Sequence, residues 1–227
     1  MFVPDVGQVT CVTCIDAHGN RVDNITDWSL AKFRNRYEGA GQKGRQTITK
    51  PMICQYVYGV LNDPMYRDKY AINLKQEFPR IPFYADFRRW AEWGKQLMDL
   101  HAGYETVMPL RLKRTDIADE KSRKAGMAPK CVLRADKATG RIVVDSETTL
   151  EGVPAEAWEY RLGNRSALEW VLDQYKESTP KDPTIREKFN TYRFVDYKEK
   201  VIDLLGRVAA VSVETQRIVE EMKKAPR

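Results

Sequence analysis

Cys11 and Cys14 stand as CVTC with His18 nearby, a grouping that can bind zinc or carry thiol redox chemistry in the right company. Zinc normally takes four ligands, however. No second CxxC and no HxxxH follows, and the other histidine, His101, is remote in the chain. The plainer reading makes VTCVTCID a strand with two small, part-buried cysteines; four cysteines at this length do not make a disulfide framework. Asp145 and Glu147 with Lys137 supply the residue types of a nuclease carboxylate cluster, but the lysine precedes them across a turn. Ser166 follows Arg165 rather than sitting in a GxSxG elbow. There is no GxxxxGK[ST] loop, no GxGxxG after a strand and no HExxH. The glycine-rich turn and Asn-Pro-Pro-aromatic loop of methyltransferases are missing too. The expectation is a chain with no catalytic residue, metal or cofactor of its own.

Charge is the more informative signal. Of 227 residues, 38 are Lys or Arg and 32 are Asp or Glu, a net charge of +6. Between Met108 and Arg141 the basic residues 111, 113, 114, 121, 123, 124, 130, 134, 137 and 141 face only four acidic ones, which accounts for the whole excess. Such a concentration suits a polyanion-binding surface, or equally a solvated, mobile linker. With 42% apolar and 31% charged residues the composition is that of a globular protein. No apolar run is long enough to span a bilayer, and MFVPDVGQVT lacks a signal-peptide pattern. A cytoplasmic location without membrane contact is expected.

The elements that must position these residues follow from periodicity and punctuation. Alternation to about Val22, with a turn at AHGN, reads as a β-hairpin. A first helix starts at Thr26 or Asp27 and offers Trp28, Leu30, Ala31 and Phe33 as apolar surface. After the break GAGQKGRQ, Thr49 and Pro51 start PMICQYVYGVL, apolar nearly all round and therefore central. Asp63 and Pro64 open a third helix, with Tyr66, Tyr70 and Leu74 on one face, which is expected to run to Phe78 before Pro79 stops it. Asp86 caps a fourth, whose stripe is Phe87, Trp90, Ala91, Gly94, Leu97, Met98 and His101. From Lys130 the period falls to two: KCVLRADKATGRIVVDS reads as a hairpin around DKATG, and AEAWEYRL as a further strand. SALEWVLDQY is a helix, and Asp196 begins a long one with Val201, Leu204, Leu205, Val208 and Val211 on one side. The fold class is α+β, a predominantly helical scaffold with a small antiparallel β portion in hairpins near 8–22 and 130–162. Three parts are expected: a mainly helical 1–105, a basic linker 106–129, and 130–227.

Two local motifs bear on binding. In LGNRSALEW a strand ends at Leu162, Gly163 permits a tight turn and Ser166 caps a helix, so Asn164, Arg165 and Ser166 flank N–H groups that could seat an anion; plain capping is the alternative. Trp170 and Tyr175 read as core rather than stacking platforms. In FPRIPF the two prolines stiffen a connector, tucking Ile81 and Phe83 inward, with Arg80 either paired to Glu77 or Asp86 or held out toward a phosphate.

ITDWSLAKFRNRY followed by ITKPMICQYVYGVLNDPMYRDKYAINLKQEFPRIPF resembles the C-terminal specificity region of Type ISP restriction–modification enzymes. ADFRRWAEWGKQLMDLHAGYE, YRLGNRSALEWVLDQYKEST and VIDLLGRVAAVSVETQRIV extend the resemblance from about Asn24 to Met222, weakest between 110 and 150. Such enzymes join a nuclease, a helicase-like translocase, an adenine methyltransferase and a target-recognition domain in one polypeptide. The resemblance implies a double-stranded-DNA recognition module, partnered by methyltransferase and helicase-like domains. On that reading Arg134, Lys137 and Arg141 approach bases or phosphates, Lys113, Arg114, Arg123 and Lys124 hold backbone phosphates, and Arg111 is a further DNA-binding candidate. Lys181 and Arg186 in KESTPKDPTIREK add contacts, and Arg80, Asn164, Arg165 and Ser166 complete the candidates. The alternative is a helical module that docks on a methyltransferase or helicase without touching DNA.

Overall fold

In a computed structural model of the chain, the described residues are 13–15, 21–39, 47–178, 182 and 192–227. They form two compact units: one takes the described residues up to Asp99 together with Ile218–Arg227, the other Leu100–Arg217. No helix among the described residues is long and apolar enough to cross a membrane.

The first unit is helical apart from a short antiparallel ribbon of β1 (Thr13–Ile15) and β2 (Arg21–Asp23). The cysteine–histidine reading falls largely outside the described residues, since Cys11 and His18 are among those not described and only the backbone of Cys14 is. Helix α1 (Asp27–Tyr37) starts where the Thr26 hydroxyl accepts the Ser29 N–H at 3.2 Å. Trp28, expected to supply core surface, is 70% exposed with Lys32 lying over its ring, because the helix turns Phe33 and Tyr37 inward instead. Helix α2 (Lys50–Asn62) opens on a proline, and α3 (Pro64–Lys69) is capped by Asp63, which accepts from Met65 N at 3.1 Å. The third helix ends well short of Phe78. It stops at Lys69 and the chain resumes only as a single 3₁₀ turn over Asn73–Lys75, because Tyr66 alone among its side chains is buried and little packing holds the later turns.

Helix α4 (Phe87–Ala102) is capped by Asp86 and buries Phe87, Trp90, Ala91, Gly94 and Leu97 of the predicted stripe, with Met98 and His101 half-buried; Trp93, outside that stripe, is buried as well. It crosses α2 at two glycines: a Cβ on Gly94 would lie 1.7 Å from the Gln55 carbonyl oxygen, and one on Gly59 2.5 Å from that of Trp90. Around the crossing Tyr56 stacks on Phe87 at 5.0 Å. The FPRIPF corner is held by tyrosines: Tyr66 donates to the Arg80 carbonyl at 3.0 Å and Tyr56 to that of Pro82 at 2.7 Å. Asp63, wholly buried, accepts from Tyr84 Oη at 2.9 Å and is gripped by Arg227 through Nη2 at 2.6 Å and Nε at 2.8 Å.

The second unit is built on a four-stranded antiparallel sheet of β3 (Lys113–Asp116), β4 (Cys131–Asp136), β5 (Arg141–Asp145) and β6 (Thr148–Glu151), in the order β3-β6-β5-β4. Lys113–Asp116 lies inside the stretch read as a linker, yet pairs with β6 along its whole length, fastened by Thr148 Oγ1 donating to Asp116. A short helix, α5 (Glu120–Lys124), follows β3. AEAWEYRL is not one strand: Ala155–Trp158 forms a 3₁₀ turn that buries Ala157 and Trp158 side by side, which an alternating strand could not do. Only Arg161–Leu162 is extended (β7), paired with β8 (Arg165–Ser166) across a turn in which Gly163 takes φ +69°. Then come α6 (Ala167–Gln174) and α7 (Lys198–Lys223). Ile142, Val144 and Leu150 on one sheet face share a core with Leu168 and Leu172 of α6 and Val201 and Leu205 of α7. The α+β class read from the sequence is the class observed.

Candidate nucleic-acid interface

Residues directly opposite in an antiparallel sheet share a face. The observed register therefore sets Arg134, Val143, Thr149 and Thr115 in one row across the four strands. Asp136, Arg141, Glu151 and Lys113 form the next row on the same face, away from Ile142 and Leu150. Glu151 sits between two cations, 3.1 Å from Lys113 and 3.4 Å from Arg141. Arg114, one residue along, points to the opposite face and is held by Asp116 at 2.8 Å and by Glu199 of α7 at 2.8 Å. Arg123 meets Glu147 at 2.9 Å, and this guanidinium holds the Glu147 carboxyl below its ordinary value.

The basic hairpin and the tip of α6 come together. Lys137, in the β4–β5 turn, places Nζ 2.7 Å from Glu169 Oε1. The other Glu169 oxygen accepts from Ser166 N at 2.9 Å and from Ser166 Oγ at 2.9 Å, while the hydroxyl accepts Glu169 N at 3.2 Å, a complete capping box. Lys137, and then the Ser166 N–H, pull the Glu169 carboxyl down to about 2. The anion seat expected here is thus filled by the helix's own Glu169, and Ser166 is a capping residue. Arg165 is bound to Asp173 at 2.5 Å and lies over the Trp170 ring, and Lys176 meets the same aspartate at 2.7 Å. Asn164 accepts from Arg161 through its carbonyl. Between β4 and α6 these side chains line a cleft of about 270 Å³ in which Arg134, Lys137, Arg165 and Lys176 face Glu169 and Asp173. Trp170, read as core, is 46% exposed and donates from Nε1 to Leu162 O.

Among the described residues Arg111, Lys124 and Arg134 are exposed with no carboxylate partner. Arg80 belongs to the other unit, where its exposed guanidinium lies 3.5 Å from Glu77. Ile81 is half-buried but Phe83 remains 44% exposed, so the corner is tied by its carbonyls more than by its side chains. Lys181 and Arg186 fall outside the described residues. Glu77 apart, which the sequence offered as a partner for Arg80, the sequence reading missed the carboxylates that pair with these cations, together with Lys176. Glu169 was findable, since Ser-x-x-Glu ahead of an apolar run is the capping-box signature.

The nuclease-like trio does not assemble. Asp145 is buried in a structural role, accepting from Glu147 N at 2.9 Å and Thr148 N at 2.7 Å and holding Lys198 at 2.7 Å, while Lys137 is engaged with Glu169. No group of three or more His, Cys, Asp or Glu suited to a metal occurs among the described residues.

The chain is similar to several solved structures. The chain is 53% identical to DrdV, solved as a complex with DNA, with a TM-score of 0.83 over 92% of this chain and 21% of that one. A nuclease-deletion mutant of the Type ISP restriction–modification enzyme LlaGI, in complex with a DNA substrate mimic, is 28% identical with a TM-score of 0.58 over 79% of this chain and 14% of that one. The ATP-dependent Type ISP enzyme LlaBIII bound to DNA shares the fold at 22% identity, TM-score 0.66, over 92% of this chain and 13% of that one. The chain thus spans about a fifth of the length of DrdV and less of the other two. No curated protein matches it. Residues 7–204 match the family described as the Type ISP C-terminal specificity domain, and with most of its length inside that match the chain belongs to this family.

Proposed function

We propose that this chain is the sequence-specific double-stranded-DNA recognition module of a restriction–modification enzyme. It carries no catalysis by itself and works beside methyltransferase and helicase-like domains of the same polypeptide. The observation that carries the reading is 53% identity over 92% of the chain to a protein solved in complex with DNA. The physical support lies in the second unit, where the sheet row of Lys113 and Arg141, the unpaired Arg134 and the hairpin turn at Lys137 gather cations on and beside one small sheet. A β-ribbon of this kind fits a major groove, where side chains reach base edges. Arg111, Lys113, Arg123 and Lys124 are assigned to backbone phosphates, which position without specifying. Lys113, Arg123 and Arg141 are paired with carboxylates, so DNA would replace Glu151 and Glu147 as their partners.

The test is duplex binding as a function of salt. Affinity should fall log-linearly, with a slope of about −0.9 for each phosphate neutralised. Reversing Arg123 and Lys124 together (R123E with K124E) should weaken binding to all duplexes alike, whereas substitutions at Lys137 or Arg141 should change which duplex is preferred. Binding that ignores both sets of substitutions would refute this interface.

A further inference from the structure

Strand β4 contains a bulge between Cys131 and Arg134. Cys131 lies opposite Asp145, and continuing that register would set Arg134 opposite Ile142, which is wholly buried on the core face. One extra residue is inserted instead, so Arg134 lies opposite Val143 and Ala135 takes the place against Ile142. A shift of one residue moves a side chain to the other face of the sheet, and the bulge does this to Arg134. Its structural cost falls on Leu133, a fully buried, γ-branched residue held at φ +45°, in the left-handed region that L-residues avoid. Strain of this kind persists only where the surroundings impose it, and it clusters at sites that use it.

The side chain so displayed differs from its neighbours. Lys137, Arg165 and Lys176, which share the cleft with Arg134, are each bound to Glu169 or Asp173. Arg134 is exposed, and no carboxylate among the described residues engages it, so its planar fork keeps all its donors for a ligand. Resting on the DNA-recognition reading above, we infer that Arg134 is a specificity-determining residue that reads a guanine edge through O6 and N7. On this inference Lys137 and Arg165, neutralised within the protein, fix the cleft around it. Arg111 and Lys124, equally unpaired but on unstrained backbone, take phosphates and carry no sequence preference.

The experiment enriches duplexes from a pool with a randomised centre, using the chain and its R134A, R134Q and K124A variants, and then measures affinity for the enriched duplex and its single-base changes. Arg134 is exposed, and thermal melting checks that each variant folds. The unsubstituted chain should enrich a motif containing a guanine. R134A should lose about ten- to a hundredfold of the preference for guanine at one position, with little change on unrelated duplexes. R134Q should move that position toward adenine, and K124A should weaken all duplexes alike. If R134A weakens every duplex equally and the motif survives, Arg134 is a phosphate contact and the inference falls while DNA recognition stands. If the unsubstituted chain retains no duplex even at low salt, both readings fall.

Discussion

Replacing Glu169 with glutamine isolates the charge that joins the basic hairpin to α6. The substitution keeps the side chain's size and leaves Ser166 able to cap the helix, but removes the negative charge 2.7 Å from Lys137 Nζ. The Glu169 carboxyl drops from its ordinary 4.5 to about 2, chiefly through its hydrogen bond with Lys137. At about 1.4 kcal/mol per unit, full linkage would put roughly 3 kcal/mol on this carboxylate. With 30% of the side chain exposed, water screens the pair, and about 1–2 kcal/mol is the working figure. Because the folded value is depressed, this stabilisation is complete above pH 4.5 and is lost as the pH falls toward 2. E169Q should therefore lower the unfolding free energy by about 1–2 kcal/mol at neutral pH, or roughly 2–8 °C in Tm. The gap between the two proteins should narrow steadily below about pH 4.5. Urea is the denaturant of choice because it adds no ionic strength, and K137M with E169Q closes a double-mutant cycle whose coupling term reports the pair. A gap of the same size at neutral and acid pH would show that cap geometry, not charge, is at stake. No gap at neutral pH would refute the reasoning altogether.

Two further outcomes follow from the first unit. G94A sets a methyl group 1.7 Å from the Gln55 carbonyl oxygen, and since both partners are backbone the helices must part; a loss of about 3 kcal/mol or more is expected in urea unfolding, against no measurable effect if the crossing is loose. R227M leaves the buried Asp63 carboxylate without its cation and should cost about 3 kcal/mol, with D63N restoring part of the loss in the double variant; unchanged stability in R227M would show that the pair does not hold the unit.

What the sequence made legible was whatever local chemistry decides. Thr26, Asp63, Asp86 and Ser166 cap their helices because each is a short polar side chain ahead of a periodic apolar run, and the α4 stripe is buried as its spacing requires. The DKATG turn was equally plain: Asp136 accepts from Ala138 N and Thr139 Oγ1, and Gly140 takes φ +64°. What depends on distant partners was not legible. Lys113–Asp116 reads as linker because its strand identity comes from β6, which lies far along the chain. Trp28 looks like core from its residue type alone, and only the packing of Phe33 and Tyr37 turns it outward. At the site, the cations were visible and their carboxylates were not, because Glu151, Glu199, Glu169 and Asp173 reach them only through tertiary approach. The bulge at Leu133 left no mark at all, since nothing in VLRAD distinguishes a regular strand from one carrying an extra residue.

The grip of Arg227 on Asp63 sets an order on how this polypeptide can mature. Leu100–Arg217 is continuous, so its sheet and helices can gather while the chain is still lengthening on the ribosome. The helices that precede it cannot finish until later, because the segment that completes their core and neutralises their sunken aspartate is translated only after residue 217. A chain cut at residue 204, where the family match ends, would lack that segment, leaving the helices before Leu100 with an unanswered charge and an open flank.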